Sequence, residues 1–192
     1  MIARYATRCA VCPRRIEPGE EITAAKGGGK WVHASCDGAV DAPAKAVAPV
    51  PAGTTEVYTD GACRGNPGPG GWGWAVPDGP ERSGHDPATT NQRMEVRAAY
   101  EAIKAIGSPL VVVSDSTYVV NCFKNSWWTG WRARGWLNSA KKPVANRDLW
   151  EPLIDLVEAR GDVTFRWVKG HSGNKMNDRV DELAVAASHH ET

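Results

Sequence analysis

Cys9 and Cys12 stand two residues apart, and twenty residues further on His33 and Cys36 repeat that spacing. Three thiols and an imidazole in two such pairs close a tetrahedral site for one structural Zn²⁺. EPGEE and KGGGK are turn signals on either side of ITAAK, so a small hairpin is predicted to bring the two pairs together. A second set of groups is purely acidic. Asp60 ends the run EVYTD and is followed by Gly61, and Asp115 ends the apolar run LVVVS. Glu95 shares a helical stripe with Ala99, Ile103 and Ile106, so it faces the body of the protein, where an unpaired charge is costly. Asp181 lies beside Val180 and four residues after Asn177, at the border of an inward face. Taken singly, Asp60 and Asp115 also read as turn or cap residues and Asp181 as a solvated helix charge. Brought together, such carboxylates repel one another unless a hard cation neutralises them. Oxygen-only donors suit Mg²⁺ or Mn²⁺, ions that complete their shell with water and substrate phosphates and so point to phosphoryl transfer or hydrolysis. Two ions about 3.5 to 4 Å apart would stabilise both the attacking and the leaving oxygen.

These residues need a scaffold, and 192 residues with 42% apolar content supply one full core and a small accessory module. DAPAKAVAPVPAG, residues 41 to 53, has little to anchor it and reads as a semi-rigid linker. It separates a zinc-finger-like module at 1 to 40 from a larger domain at 54 to 192. In that domain 56 to 60 and 71 to 76 read as strands around the turn-rich RGNPGPG, and Met94 to Ile106 as a helix. The run 110 to 114 reads as a strand buried on both faces, Asp148 to Arg160 as a helix, 163 to 168 as a strand and Met176 to Ala187 as the closing helix. The expected class is α/β, a mixed sheet with helices packed on it. No stretch is long and apolar enough to span a bilayer, and the first fifteen residues lack the apolar core of a signal peptide. Five cysteines, three of them in the metal-like pairs, suit reduced thiols and a cytoplasmic protein better than a disulfide framework.

YTDGACRGNPGPGGWG, TTNQRMEV, VVVSDSTYV, NSWWTGWRARGW, KKPVANRDLW and WVKGHSGNKMNDRVDELA follow one another between about 55 and 188, and together they resemble type 1 ribonuclease H. The resemblance implies a five-stranded mixed sheet flanked by helices and an endonuclease that cuts the RNA strand of RNA–DNA hybrids with two Mg²⁺ or Mn²⁺ ions. It implies that Asp60 bridges both ions, that Asp181, not Asp178 or Glu182, holds the ion activating the attacking water, and that Glu95 and Asp115 hold the other. His171, in KGHSGN, is similar to the family's mobile histidine, which assists proton transfer or product release. Cys63, Asn66, Asn91 and Gln92 occupy positions used for contacts to 2′-hydroxyls, the chief handle that separates RNA from DNA. Thr90 and Asn146 resemble a pocket for a phosphate of the DNA strand, although Ala88 replaces an arginine that some members place two residues before that threonine.

The net charge of +1 is too small to mark a nucleic-acid binder by itself. Between Asp115 and Asp148, however, there is no acidic residue, while Lys124, Arg132, Arg134, Lys141, Lys142 and Arg147 supply six positive charges. Trp127, Trp128, Trp131 and Trp136 interleave them. This segment is similar to the basic protrusion that grips the DNA strand, with Trp127, Trp131, Arg132 and Arg134 as the expected contacts. The N-terminal module resembles half of a LIM-type or treble-clef finger and carries six basic against four acidic residues up to Val40. That spacing names a scaffold, and both nucleic acid and protein stay open as its partner. A monomer is expected. Two other readings, a hybrid-binding module without catalysis and an adaptor built around the finger, compete with the enzyme; the complete carboxylate set argues against the first.

Overall fold

The computed structural model describes residues 1–9, 15–24, 31–34 and 53–190. Internal contacts divide the chain into two units, Met1–Pro49 and Val50–Thr192. In the first unit β1 (Thr7–Arg8) pairs antiparallel with β2 (Arg15–Ile16), and β3 (Ile22–Ala24) with β4 (Trp31–His33). The expected hairpin around ITAAK is the β3–β4 pair, in which Ile22 lies opposite His33. Ala3, Cys9, Ile16, Ile22 and Val32 form its small core.

The second unit is built on one five-stranded sheet. Its elements are β5 (Thr55–Cys63), β6 (Gly68–Ala75), β7 (Glu81–Thr89), α1 (Asn91–Ala105), β8 (Leu110–Ser114), α2 (Thr117–Lys124), α3 (Trp127–Ala133), α4 (Arg147–Arg160), β9 (Val163–Trp167) and α5 (Lys175–Ser188). The strand order is β7-β6-β5-β8-β9, with β5–β6 and β6–β7 antiparallel and β5–β8 and β8–β9 parallel. All five residues of β8 are buried, as its unbroken apolar run predicts. Leu110 and Val112 join the core made with α1, α2 and α4, where Val96, Ile103, Val119, Trp150 and Leu153 pack. Val111 and Val113 point the other way, into a second core with Tyr58, Ala75 and Val180 of α5. The sheet is thus covered on both faces, the layer arrangement expected of an α/β domain.

Two differences from the sequence-based expectation have local causes. β7 has no apolar alternation to reveal it, since ERSGHDPAT contains glycine and proline and is largely exposed; it forms an edge strand whose one strand neighbour is β6, and its Glu81 pairs with Arg179 of α5. Helix α1 begins at Asn91 and not Met94, because its first turn is polar and is started by capping: the Thr90 side chain accepts from the Arg93 amide at 3.4 Å. At the other end of α1, the Arg160 guanidinium donates to the carbonyls of Ile103 (2.7 Å), Ile106 and Ser108 (2.5 Å) and so closes the helix terminus. No helix among the described residues is long and apolar enough to cross a membrane.

Candidate active site

The parallel register pairs Tyr58 of β5 with Val113 of β8, so Asp60 and Asp115, each two residues further on, lie level on adjacent strands. Asp60 does not end its strand as the sequence suggested, since β5 runs on to Cys63 and Asp60 lies opposite Gly73 of β6; both acids nevertheless stand just beyond the last residues paired between β5 and β8, where that parallel ladder opens. Helix α1 rests directly on β5 at Gly61. A side chain there would run into the backbone of Met94 and Glu95, so the glycine is what lets Glu95 approach Asp60. From the last helix, the Asn177 amide Nδ2 donates to Asp115 Oδ2 at 3.2 Å, and Asp181 follows one turn later on the same face. The loop before α5 is equally close, since a Cβ on Gly170 would clash with the Asp115 carboxylate.

Three of the carboxylates, Asp60, Glu95 and Asp115, are oriented by neutral donors. Asp60 accepts from the Gly61 amide at 2.7 Å. Glu95 accepts from Asn91 Nδ2 at 3.0 Å and from Ser116 Oγ at 2.5 Å, and Ser116 also caps α2 by accepting from the Val119 amide. The indole of Trp167 donates to the Asp115 carbonyl at 3.0 Å. Burial, followed by the charges of Asp115, Asp181 and Glu95, pushes the Asp60 carboxyl up to about 7, with the Gly61 hydrogen bond opposing. Burial and the Asp115 charge likewise raise Glu95, against the hydrogen bonds from Ser116 and Asn91. Among the described residues, no group of three or more His, Cys, Asp or Glu is arranged to hold a metal ion. Asp115, Asp181 and Glu95 nevertheless act on Asp60, which can be charged at neutral pH only at a cost that a bound cation would lower. Oxygen donors of this kind fit a hard divalent ion.

The RNase H family profile matches residues 52–189. The chain belongs to the RNase H family. The ribonuclease H of Erythrobacter litoralis is 51% identical over 138 residues, covering 69% of this chain and 94% of the relative. The ribonuclease H of Chlorobium luteolum is 53% identical over 136 residues, 68% of this chain and 92% of its own. Among solved structures, LC9-RNase H1, described as a type 1 RNase H with the type 2 active-site motif, superposes with a TM-score of 0.61 at 33% identity, over 73% of this chain and 74% of that one. The protein is therefore an enzyme, a ribonuclease H whose catalytic domain is of type 1.

In this RNase H the other residues singled out in the sequence fall into two neighbourhoods. The Cys63 thiol lies 3.4 Å from the Thr89 carbonyl and 3.6 Å from that of Gly68, Asn66 Oδ1 accepts from the Asn91 amide at 3.0 Å, and Gln92 is exposed beside them. Thr90 and Asn146 are linked through Arg93, a residue that sequence reasoning passed over. Its guanidinium donates to both oxygens of Asp148 at 2.9 and 2.6 Å and reaches Asn146 Oδ1 at 3.5 Å. Asn146 holds a left-handed backbone (φ 60°), and its amide donates to the Tyr118 hydroxyl, which also accepts from the Trp150 indole at 2.7 Å. His171 is exposed, also with a positive φ (49°), in the loop that leads into α5.

The basic segment differs from its sequence-based picture. Arg132 pairs with Asp155 and Glu158 of α4 and lies over the Trp128 ring, so its charge is already met within the protein. Trp131 is only 9% exposed and packs against Trp136 and Trp150, which makes it a core residue, while Trp127 is 37% exposed. Arg134 donates to the Leu137 carbonyl and remains exposed, as do Lys124, Lys141 and Lys142. In the N-terminal unit Cys9 and His33 are both buried, with His33 Nε2 3.3 Å from the Arg15 carbonyl and from Glu20. Cys12 and Cys36 lie outside the described residues.

Proposed function

We propose that this ribonuclease H hydrolyses the RNA strand of RNA–DNA hybrids with two divalent cations, Mg²⁺ or Mn²⁺, held by Asp60, Glu95, Asp115 and Asp181. The observation that carries this reading is the half-buried Asp60 carboxyl on β5, raised by burial and by the charges of Asp115, Asp181 and Glu95. When bound, the cations supply the positive charge that offsets charge growing on the attacking and leaving oxygens. The protein's part is orientation. Ser116 and Asn91 fix both oxygens of Glu95, and Asn177 and Trp167 fix Asp115 from two elements, so little reorganisation is left for the reacting complex. Cys63, Asn66, Asn91 and Gln92 would face the 2′-hydroxyls of the RNA strand. Thr90 and Asn146, locked by Arg93, would take a phosphate of the DNA strand, with Trp127, Arg134 and the exposed lysines gripping that strand further along. Cys9, Cys12, His33 and Cys36 would hold one structural Zn²⁺ that staples the N-terminal unit, and that unit would provide a second contact with nucleic acid.

A labelled hybrid, with matched RNA and DNA duplexes as controls, tests the reading directly. The expected result is cation-dependent cutting of the RNA strand in the hybrid alone. Equal cutting of the RNA duplex, or no cutting with either ion, would reject it. His171, exposed in a loop that approaches Asp115, would carry a proton to the leaving oxygen. Replacing it by alanine is expected to lower kcat by about 10²-fold and leave KM nearly unchanged, since attack on the phosphorus does not itself require the imidazole. Complete loss in a folded variant would give His171 a different role.

A further inference from the structure

Four of the large apolar side chains that stay exposed belong to the small N-terminal unit: Met1 (79% exposed), Ile2 (52%), Tyr5 (82%) and Trp31 (39%). All four line one open cavity of about 840 Å³, together with Ile22 and Arg4. A unit this small gains nothing in stability from leaving such a surface in water, and an exposed apolar patch of this kind marks a binding face. Two aromatic rings reach it from separate segments, Tyr5 from the N-terminal stretch and Trp31 from β4. Among the described residues Arg4 is the one charged side chain in the lining, beside the Met1 α-ammonium, which donates to the Ile22 carbonyl at 3.1 Å, and no carboxylate of a described residue lines it. Aromatic faces beside a lone guanidinium suit a ligand that is flat and apolar on its faces and anionic along its backbone.

We propose that this cavity seats the unpaired bases of single-stranded DNA, which stack on Tyr5 and Trp31 while Arg4 meets a phosphate. A duplex fits less well, because its bases already cover one another's faces and only unstacked bases can offer theirs to side chains. The first forty residues of the sequence carry six basic against four acidic residues, a net positive charge that suits a polyanion. The occupant also follows from the chemistry, on which this inference rests: hydrolysis of the RNA strand leaves its DNA partner single-stranded. The cavity would hold the enzyme to the strand it has just uncovered.

The test uses the full chain, with a fluorescein-labelled oligothymidylate as probe and anisotropy as readout. The catalytic unit is kept occupied by excess unlabelled blunt hybrid with no divalent cation added. Tyr5→Ala removes a ring that is almost wholly exposed and so spares the unit's core; it should raise the probe's Kd by about tenfold. Arg4→Glu should also weaken binding and lower the slope of affinity against salt by about one phosphate. Both variants should cut a short blunt hybrid at the wild-type rate. Unchanged Kd in both variants would overturn the proposal, as would an equal loss of affinity for the blunt hybrid. Self-association of the wild type that Tyr5→Ala abolishes, with probe affinity unmoved, would assign the cavity to a second copy of the chain. Failure of the wild type to cut hybrid would instead strike at the catalytic reading, and the probe titration would still report on the cavity.

Discussion

Asp115→Asn is expected to lower the single-turnover rate of hybrid cleavage by about 10³-fold while changing hybrid affinity by less than about threefold. The substitution keeps the shape of the side chain and removes its charge. In the native site Asp115 Oδ2 accepts from the Asn177 amide, so the new amide must turn its carbonyl toward Asn177 and present an N–H₂ group to the remaining acids. That group cannot bind a cation, and the site loses both a ligand and a unit of the charge that attracts one. The proposed hybrid contacts do not depend on it. Asn66, Asn91 and Thr90 lie around the start of α1, and Asn146 is tied to Arg93 and Tyr118. Rate and affinity should therefore separate cleanly when single-turnover cleavage is set beside filter binding. A variant within tenfold of wild type in rate would remove Asp115 from the chemistry, and an equal loss of affinity would show that it positions substrate instead.

What the sequence made visible was whatever rests on local pattern. β8 could be read from an unbroken apolar run and α4 from helical spacing, and both are where expected. Asp60 and Asp115 stood out because each ends such a run, and Glu95 because a charge on an inward stripe calls for explanation. The choice of Asp181 over its acidic neighbours came from family likeness, although a physical signal was present: Asn177 and Asp181 share one helix face, and Asn177 is buried against Asp115. Features made by pairing distant segments were not legible. Nothing local shows that Arg132 would meet Asp155 and Glu158, more than twenty positions away, or that Trp131 would pack on Trp150. The same holds for Arg93 and Asp148, whose ion pair joins α1 to the start of α4. A count of charges along the chain registers the basic segment between Asp115 and Asp148 and misses that its neighbours in space are acidic.

With no divalent cation added, the folded chain should lose stability as the pH rises from about 4 to about 7, and Asp60→Asn should remove most of that loss. The sign follows from the direction of the shift. Asp60 titrates near 3.8 in an unfolded chain and at about 7 in the folded one, so in this window the folded state holds a proton that the unfolded state has released. Raising the pH then favours unfolding, and above about pH 7 the full cost is present, up to about 4 kcal/mol. Glu95 is raised as well and acts in the same direction, so a smaller dependence should survive in the variant. Carboxyls held low by arginines, such as Asp148 beside Arg93, lose their contribution only below the ordinary carboxylate range and do not confuse the window. A cation that binds only the folded state should offset the cost, so Mg²⁺ should raise the wild-type Tm far more at about pH 8 than at about pH 5. The Asn variant, inactive in cleavage, should be more stable than wild type at the higher pH without Mg²⁺ and should respond to the ion weakly. Thermal melts of both proteins at the two pH values, with and without Mg²⁺, decide the matter. Equal metal-free stability of the wild type at both, or an Asn variant less stable than wild type at about pH 8, would mean that burial and the three other carboxylates do not raise Asp60 as the geometry requires.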